Sequence, residues 1–189
     1  MLVNINNYMA KTEQKISKFY SVAASRDFSR DFLFRVTALN LAGIEGQITE
    51  EDLIYAKAAS LPGRSISNVP VPYMGLNFNI PGNASYTGAE GYSLTFFVDS
   101  KSRLRNIFER ASRTSFDDAT STGQYGTPGD NFFIELAQLD KDLSVISTYK
   151  LIGASIRNVG DIAYNMSGGT GQTVEMNVTI AYHFYNKTL

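Results

Sequence analysis

Residues 61–82, LPGRSISNVPVPYMGLNFNIPG, constrain this chain more than any other stretch, because they describe an architectural element with no chemistry in it. Leu61-Pro62-Gly63 reads as a turn in which proline presets φ and glycine is free to take positive φ. A strand-like run follows over 65–74, with Pro70 and Pro72 spaced two apart. Prolines at that spacing turn their missing N–H groups to the same side, which assigns the run to a sheet edge or a crossing segment and not to a central strand. Gly75 breaks the run, residues 76–80 alternate again, and Pro81-Gly82 closes the unit. The pattern predicts a long projecting hairpin that must pair with something. Alone, such an edge is an aggregation hazard; in an assembly it is the joint.

The chain has 189 residues, which fits one domain with a sizeable core. Its aromatic content comes from 12 Phe and 11 Tyr without any Trp, a balance that favours strands over helices. A net charge of −1 carries no whole-molecule signal for nucleic acid or an anionic membrane. The absence of cysteine removes disulfides, thiolate metal sites and cysteine nucleophiles together, and is compatible with folding in a reducing cytoplasm. The first 20 residues hold no apolar run long enough for a signal peptide. No later stretch approaches the ~18 apolar residues of a membrane span, so no membrane insertion is expected. Sequons begin at Asn83, Asn165, Asn177 and Asn186; without a secretory route they read as chance.

Residues 1–26 read as an N-terminal arm, with Ile5, Tyr8, Met9, Ile16, Phe19, Tyr20 and Ala23 near helical spacing, and 27–189 as the main domain. The first strand is expected over 32–39, with Phe32, Phe34, Val36 and Ala38 on one face. Residues 40–52 look like a loop ending in Glu50-Glu51-Asp52, and 53–60 like a second strand. After the hairpin, 92–99 alternates with Leu94, Phe96 and Val98 facing one way. One helix is expected over 100–113, where Leu104, Ile107, Phe108 and Ala111 form an apolar stripe and Asp99 or Ser100 can cap the start. Residues 115–130 form a polar loop. Strands over 132–139 and 145–154 flank a turn at Asp140-Lys141-Asp142, and further turns fall at 157–161 and 167–171. The last strand alternates through Val174, Met176, Val178, Ile180, Tyr182 and Phe184. The fold class is therefore mainly β: two packed antiparallel sheets, as a sandwich or barrel, with one flanking helix and a long projecting hairpin.

Catalytic constellations are weak. His183 is the single imidazole, so any Ser-His-Asp arrangement depends on it. A lone histidine on a strand near a C-terminus is more commonly structural or solvated. Glu50-Glu51-Asp52 and Asp117-Asp118 lack the alternating spacing of a calcium loop and read as solvated loops. The glycines at 168–171 lack the Lys-Ser/Thr of a phosphate loop and precede a strand, so they read as a turn. The helix is strongly basic: Lys101, Arg103, Arg105, Arg110 and Arg113 stand against Glu109 alone. Nucleic-acid binding, a solvated face and a dock for an acidic protein partner are all compatible with it. The lack of aromatic interleaving favours protein docking over nucleic acid.

Taken in order, these segments resemble the tail tube proteins of contractile-tailed bacteriophages. The resemblance rests on Leu61-Pro62-Gly63-Arg64, then Val69-Pro70-Val71-Pro72-Tyr73-Met74-Gly75, then 92–96, the basic helix, 134–140, 149–154, 156–162 and the terminal strand. It spans roughly residues 28–186 and includes Leu76, Phe78 and Pro81 in the hairpin. It implies a two-sheet domain of which six copies close a ring, their hairpins joining into one inner β-barrel, with rings stacked into a tube. The barrel would far exceed the ~16–18 strands that already leave an aqueous channel in porins. Further implied are a homohexamer, a surrounding sheath protein, baseplate and tail-terminator proteins, and a tape-measure protein and double-stranded DNA passing through the lumen. The protein would assemble in the host cytoplasm and reside in the virion, with no cofactor, metal or catalytic role. A tube-initiating baseplate protein and the tube of a non-phage contractile injection system share this pattern. A small β-sandwich hydrolase built around His183 is the alternative of a different class. The basic helix is expected on the outer wall or between subunits, since a lumen that passes a polyanion is best lined by uncharged and acidic side chains.

Overall fold

The computed structural model describes residues 16–26, 28–124, 127–168 and 170–188. They belong to two compact units, Met1–Phe32 and Leu33–Leu189. In the first, helix α1 (Ile16–Ser25) carries Phe19, which meets Tyr20 at 6.1 Å and Phe28 at 6.2 Å between ring centroids. Ile5, Tyr8 and Met9 of the expected arm lie outside the described residues. Phe32, expected in the first strand, stands exposed in the turn before it.

The second unit runs β1 (Phe34–Asn40), α2 (Glu50–Leu53), β2 (Ala56–Ala58), β3 (Gly63–Tyr73), β4 (Leu76–Thr87), β5 (Tyr92–Phe97) and α3 (Arg103–Ser115). It continues through β6 (Phe116–Asp117), β7 (Thr122–Gly123), β8 (Phe133–Leu139), β9 (Val145–Ile152), β10 (Ser155–Val159), β11 (Glu175–Ala181) and β12 (Phe184–Thr188). Two four-stranded antiparallel sheets result, β1-β8-β9-β12 and β10-β11-β5-β2. Strict alternation buries Tyr92, Leu94 and Phe96 of β5 and Met176, Val178 and Ile180 of β11 on one face of the second sheet. Val36, Ile134, Leu136 and Leu151 from the first sheet meet them in one core, which the α3 stripe of Leu104, Ile107, Phe108 and Ala111 completes. Phe96 and Phe108 pack at 5.4 Å. The expected mainly β fold of two packed sheets and a flanking helix is what the chain forms.

Several local expectations are corrected. In β1 a bulge inserts Thr37, because Val36 opposes Leu136 and Ala38 opposes Glu135. The buried pair is consequently Val36 and Leu39, not a Phe34-Val36-Ala38 row. The expected strand over 53–60 is only β2; Leu53 instead ends α2, whose start is closed by a capping box between Thr49 and Asp52. Helix α3 begins later than expected, after Ser102 at φ 50, with Asp99 accepting from the backbone N–H groups of Lys101 and Ser102 at 3.2 and 2.9 Å. Arg157, placed in a turn from sequence, lies in β10, which pairs with β11. The apparent last strand is two. β11 ends at Ala181, and after Tyr182 and His183 the chain enters the opposite sheet as β12 beside β9.

The crossing corner explains a glycine. His183 donates its backbone N–H to the Ile152 carbonyl at 2.9 Å. That brings the imidazole against Gly153, where a Cβ would fall inside the ring, and Gly153 itself sits at φ +73.

Candidate functional site

Strands β3 and β4 form a two-stranded sheet of their own. Its tip is the two-residue turn Met74-Gly75, with φ 49 and 79. Positive φ at both turn positions gives a twist matching that of the flanking strands, the geometry hairpins favour, and Gly75 takes it without strain. The turn at Leu61-Pro62-Gly63 is different from expectation. Gly63 is the first residue of β3, pairs with Thr87, and is not among the glycines at positive φ. The hairpin does not close at Pro81-Gly82 either: β4 continues to Thr87 through a bulge in which Ser67 opposes Gly82 and Asn83. The Ser67 hydroxyl bonds the Asn83 side chain across that bulge.

Register sorts the hairpin's side chains into two faces. Val69 opposes Ile80, Val71 opposes Phe78 and Tyr73 opposes Leu76, so these six share one face. Each of them is between 39% and 64% exposed. The opposite face carries Asn68 with Pro81, Pro70 with Asn79, and Pro72 with Asn77. Met74 at the tip is 84% exposed. From Ser65 to Ala89 there is no charged residue; Arg64 and Glu90 bound the neutral stretch. Near the base, Tyr86 opposes Arg64, joins the core and meets Tyr185 edge-on at 5.5 Å, anchoring the hairpin to its domain.

Of the sequence-selected residues, the structure brings Arg64, Val69, Pro70, Val71, Pro72, Tyr73, Met74, Leu76, Phe78 and Pro81 together in this hairpin, and Leu61 and Pro62 just ahead of it. Ile80 completes the apolar face opposite Val69, and its alternation with Leu76 and Phe78 was the signal for it. Asn77 and Asn79 share the proline face.

The basic helix is less free than its sequence suggests. Arg103 clasps Asp52, Nε to Oδ1 at 3.1 Å and Nη2 to Oδ2 at 3.0 Å, and also donates to the Gln47 carbonyl at 2.8 Å. Arg110 donates to Gln47 Oε1 at 2.8 Å. Arg105 bonds Glu109 at 2.7 Å and the Gly160 carbonyl at 2.9 Å. Three of the cations thereby fasten α3 to the 40–52 segment and to the end of β10. Among the described residues no partner engages the side chains of Lys101 or Arg113. Asp52, read from sequence as part of a solvated acidic trio, is buried as the anchor of this network.

The His183 imidazole makes no hydrogen bond to a serine among the described residues, and no group of three or more His, Asp or Glu side chains is placed to hold a metal among them. The expected turn at 167–171 is seen in part: Asn165 Oδ1 accepts from the backbone of Ser167 and Gly168 at 3.0 and 3.3 Å, while Gly169 is outside the described residues.

Neither a protein-family model nor a curated protein matches the sequence. The fold does match solved structures. A chain of the anti-feeding prophage tube-terminating cap superposes with a TM-score of 0.55 at 11% identity, over 95% of this chain and 99% of that one. A chain of the sheath/tube terminator of the extracellular contractile injection system PVC, in its extended state, gives 0.53 at 11% identity, over 87% and 99%. A chain of the extended sheath–tube complex of the same system gives 0.50 at 11%, over 89% and 96%. At these identities the likeness is one of fold.

Proposed function

We propose that this chain is a structural subunit of a contractile-system tube, and specifically a bacteriophage tail tube protein whose copies close into hexameric rings through the β3–β4 hairpin. The observation that carries the reading is the hairpin itself: a long ribbon with two open edges, six half-exposed apolar side chains on one face and no charge beyond Arg64 at its base. A contiguous exposed apolar face of this kind marks an interaction surface, and an open sheet edge marks where another strand adds. The shared fold with chains of tube-bearing assemblies supports the same reading.

Magnitudes argue for closed rings. Burying a large apolar side chain contributes about 1.5–3 kcal/mol, so six half-exposed ones contribute on the order of 6 kcal/mol per joint. Association costs ~4–15 kcal/mol in lost freedom, so a single hairpin contact roughly breaks even. Closing a ring adds one further joint without immobilising another molecule, which favours rings over open chains. Stacked rings would form a conduit for genome, and the uncharged stretch 65–89 offers a polyanion no basic contact to slow it. Lys101 and Arg113 would then face outward, toward acidic groups of a sheath.

A tube-terminator role is the second reading, favoured by the 0.55 match to a cap chain over nearly its full length. Negative-stain microscopy of the purified full chain, with sedimentation over a range of concentrations, tests both. Stacked rings support the tube, single unstacked rings the terminator, and a strict monomer sinks both.

A further inference from the structure

The three prolines of the hairpin occupy related positions, and their placement makes its two outer edges chemically unlike. In an antiparallel ribbon, residue pairs alternate between those that exchange backbone hydrogen bonds and those whose N–H and C=O groups point away from the partner strand. Beside a two-residue turn the flanking pair, here Tyr73 and Leu76, is of the exchanging kind, and so are Val71–Phe78 and Val69–Ile80. Pro72–Asn77, Pro70–Asn79 and Asn68–Pro81 are therefore the outward pairs. Each proline sits where its missing N–H removes nothing from the ribbon. The consequence falls on the outside. Over its distal half the outer edge of β3 presents carbonyls at 70 and 72 and no N–H between them. The outer edge of β4 presents both N–H and C=O at Asn77 and Asn79, at the same two-residue spacing.

Building on the proposed assembly through this hairpin, we infer that Pro70 and Pro72 set the direction of that assembly: β3 of one copy joins β4 of a second copy, and β3 cannot join β3. Two β3 edges meeting at their distal halves would set carbonyl against carbonyl with no donor on either side, stripping water from acceptors that gain no partner. A β3 edge meeting a β4 edge has its Pro70 and Pro72 carbonyls matched by the Asn77 and Asn79 N–H groups of the next copy. An array of two-fold joints needs β3–β3 contacts to continue beyond a β4–β4 pair. With those disabled, only the head-to-tail joint propagates, and head-to-tail joints are what close a ring. The prolines thus act against the wrong symmetry as well as against indiscriminate edge pairing.

The native chain has no cysteine, so strand neighbours can be reported by disulfides between single introduced cysteines. Full-length Val71→Cys, mildly oxidised alone, forms a homodimer where two β3 edges meet at their distal halves, Pro70 of each opposite Pro72 of the other. Mixed with a panel of Leu76→Cys, Phe78→Cys and Ile80→Cys, which share its face, it forms heterodimers where β3 meets β4. The expected result is a heterodimer with at least one panel member in at least tenfold excess over the Val71→Cys homodimer. Adding Pro70→Val and Pro72→Val to every chain should raise the homodimer at least tenfold, with Pro72→Val alone as the variant to use if the double change impairs folding by circular dichroism. A homodimer yield matching the heterodimers with native prolines, or a ratio that the valines leave unchanged, overturns the inference while rings seen by microscopy keep the assembly reading intact. A native chain that stays monomeric and gives neither crosslink overturns both.

Discussion

The guanidinium of Arg103 grips both carboxylate oxygens of Asp52, and through it α3 holds the short helix α2. Asp52 accepts as well from the Thr49 backbone N–H and hydroxyl, each at 2.9 Å, so one buried side chain serves a helix cap and a bridge between segments. Asp52→Ala removes both. Losing a cap costs about 1 kcal/mol and losing the charge-assisted pair about 1–2 kcal/mol, after allowing for the half-exposed arginine. Thermal unfolding should show a Tm lowered by roughly 4–10 °C. A double-mutant cycle with Arg103→Ala should give a coupling above ~0.5 kcal/mol, and strict additivity would remove the bridge from this account.

Gly153→Ala places a methyl where the His183 ring stands and imposes an L side chain at φ +73. The corner must shift where the chain passes from β11 to β12. A loss of about 2–4 kcal/mol is expected by urea denaturation. His183→Ala opens that space, so the double variant should recover part of the loss. No recovery would mean that backbone strain alone is responsible.

Burial raises the Tyr92 phenol well above its ordinary value, with neighbouring Tyr182 adding to the effect. Its hydroxyl donates to the Ser60 carbonyl at 2.5 Å, just ahead of the hairpin. A phenol whose folded pKa is raised keeps its full contribution below the unfolded value of ~10 and loses it as pH climbs toward the folded one. Stability should thus fall from about pH 10 upward, and Tyr92→Phe should flatten that fall while lowering stability at pH 7 by about 1 kcal/mol. Equal alkaline slopes in the two proteins would remove Tyr92 as the cause.

Val71→Asp and Phe78→Asp put charge on the uncovered apolar face and touch nothing in the core. Both should unfold within about 1 kcal/mol of the native chain, since surface changes away from packed groups have small effects. Both should also fail to form rings in negative stain, because a carboxylate buried in a joint is strongly unfavourable. Rings of normal diameter from either variant would relocate the joint.

Lys101→Glu with Arg113→Glu reverses the two helix cations that have no internal partner among the described residues. The expected outcome is unchanged Tm and ring formation, with binding of the proposed sheath partner reduced at least tenfold in a pull-down at low salt. Arg110→Glu is the contrasting case, because it breaks the bond to Gln47 and should lower Tm. Loss of rings in the Lys101/Arg113 variant would move those side chains into the subunit joint.

Whatever has a short period was legible in the residues alone. Alternation exposed β5 and β11, the i, i+3, i+4, i+7 stripe exposed α3, and paired prolines marked 65–74 as an edge. What depends on meeting a distant partner was not. Nothing local distinguishes a continuous strand through Phe184 from one that crosses sheets at His183, because Tyr182 and Phe184 keep the alternation while the change of partner from β5 to β9 is made elsewhere in the chain. The bulges at Thr37 and at Gly82-Asn83 are likewise set by the opposing strand. Asp52 belongs to an acidic trio with no local sign of burial, and it is Arg103, 51 positions away, that makes it a buried anchor. The sequence by itself determined which segments extend as strands, where prolines interrupt an edge and that residues 65–89 carry no charge, since these follow from backbone chemistry and side-chain type. Tertiary structure decided which sheet each strand enters, which arginines are occupied and which hairpin face stays bare, because each of those depends on contacts between residues far apart in the chain.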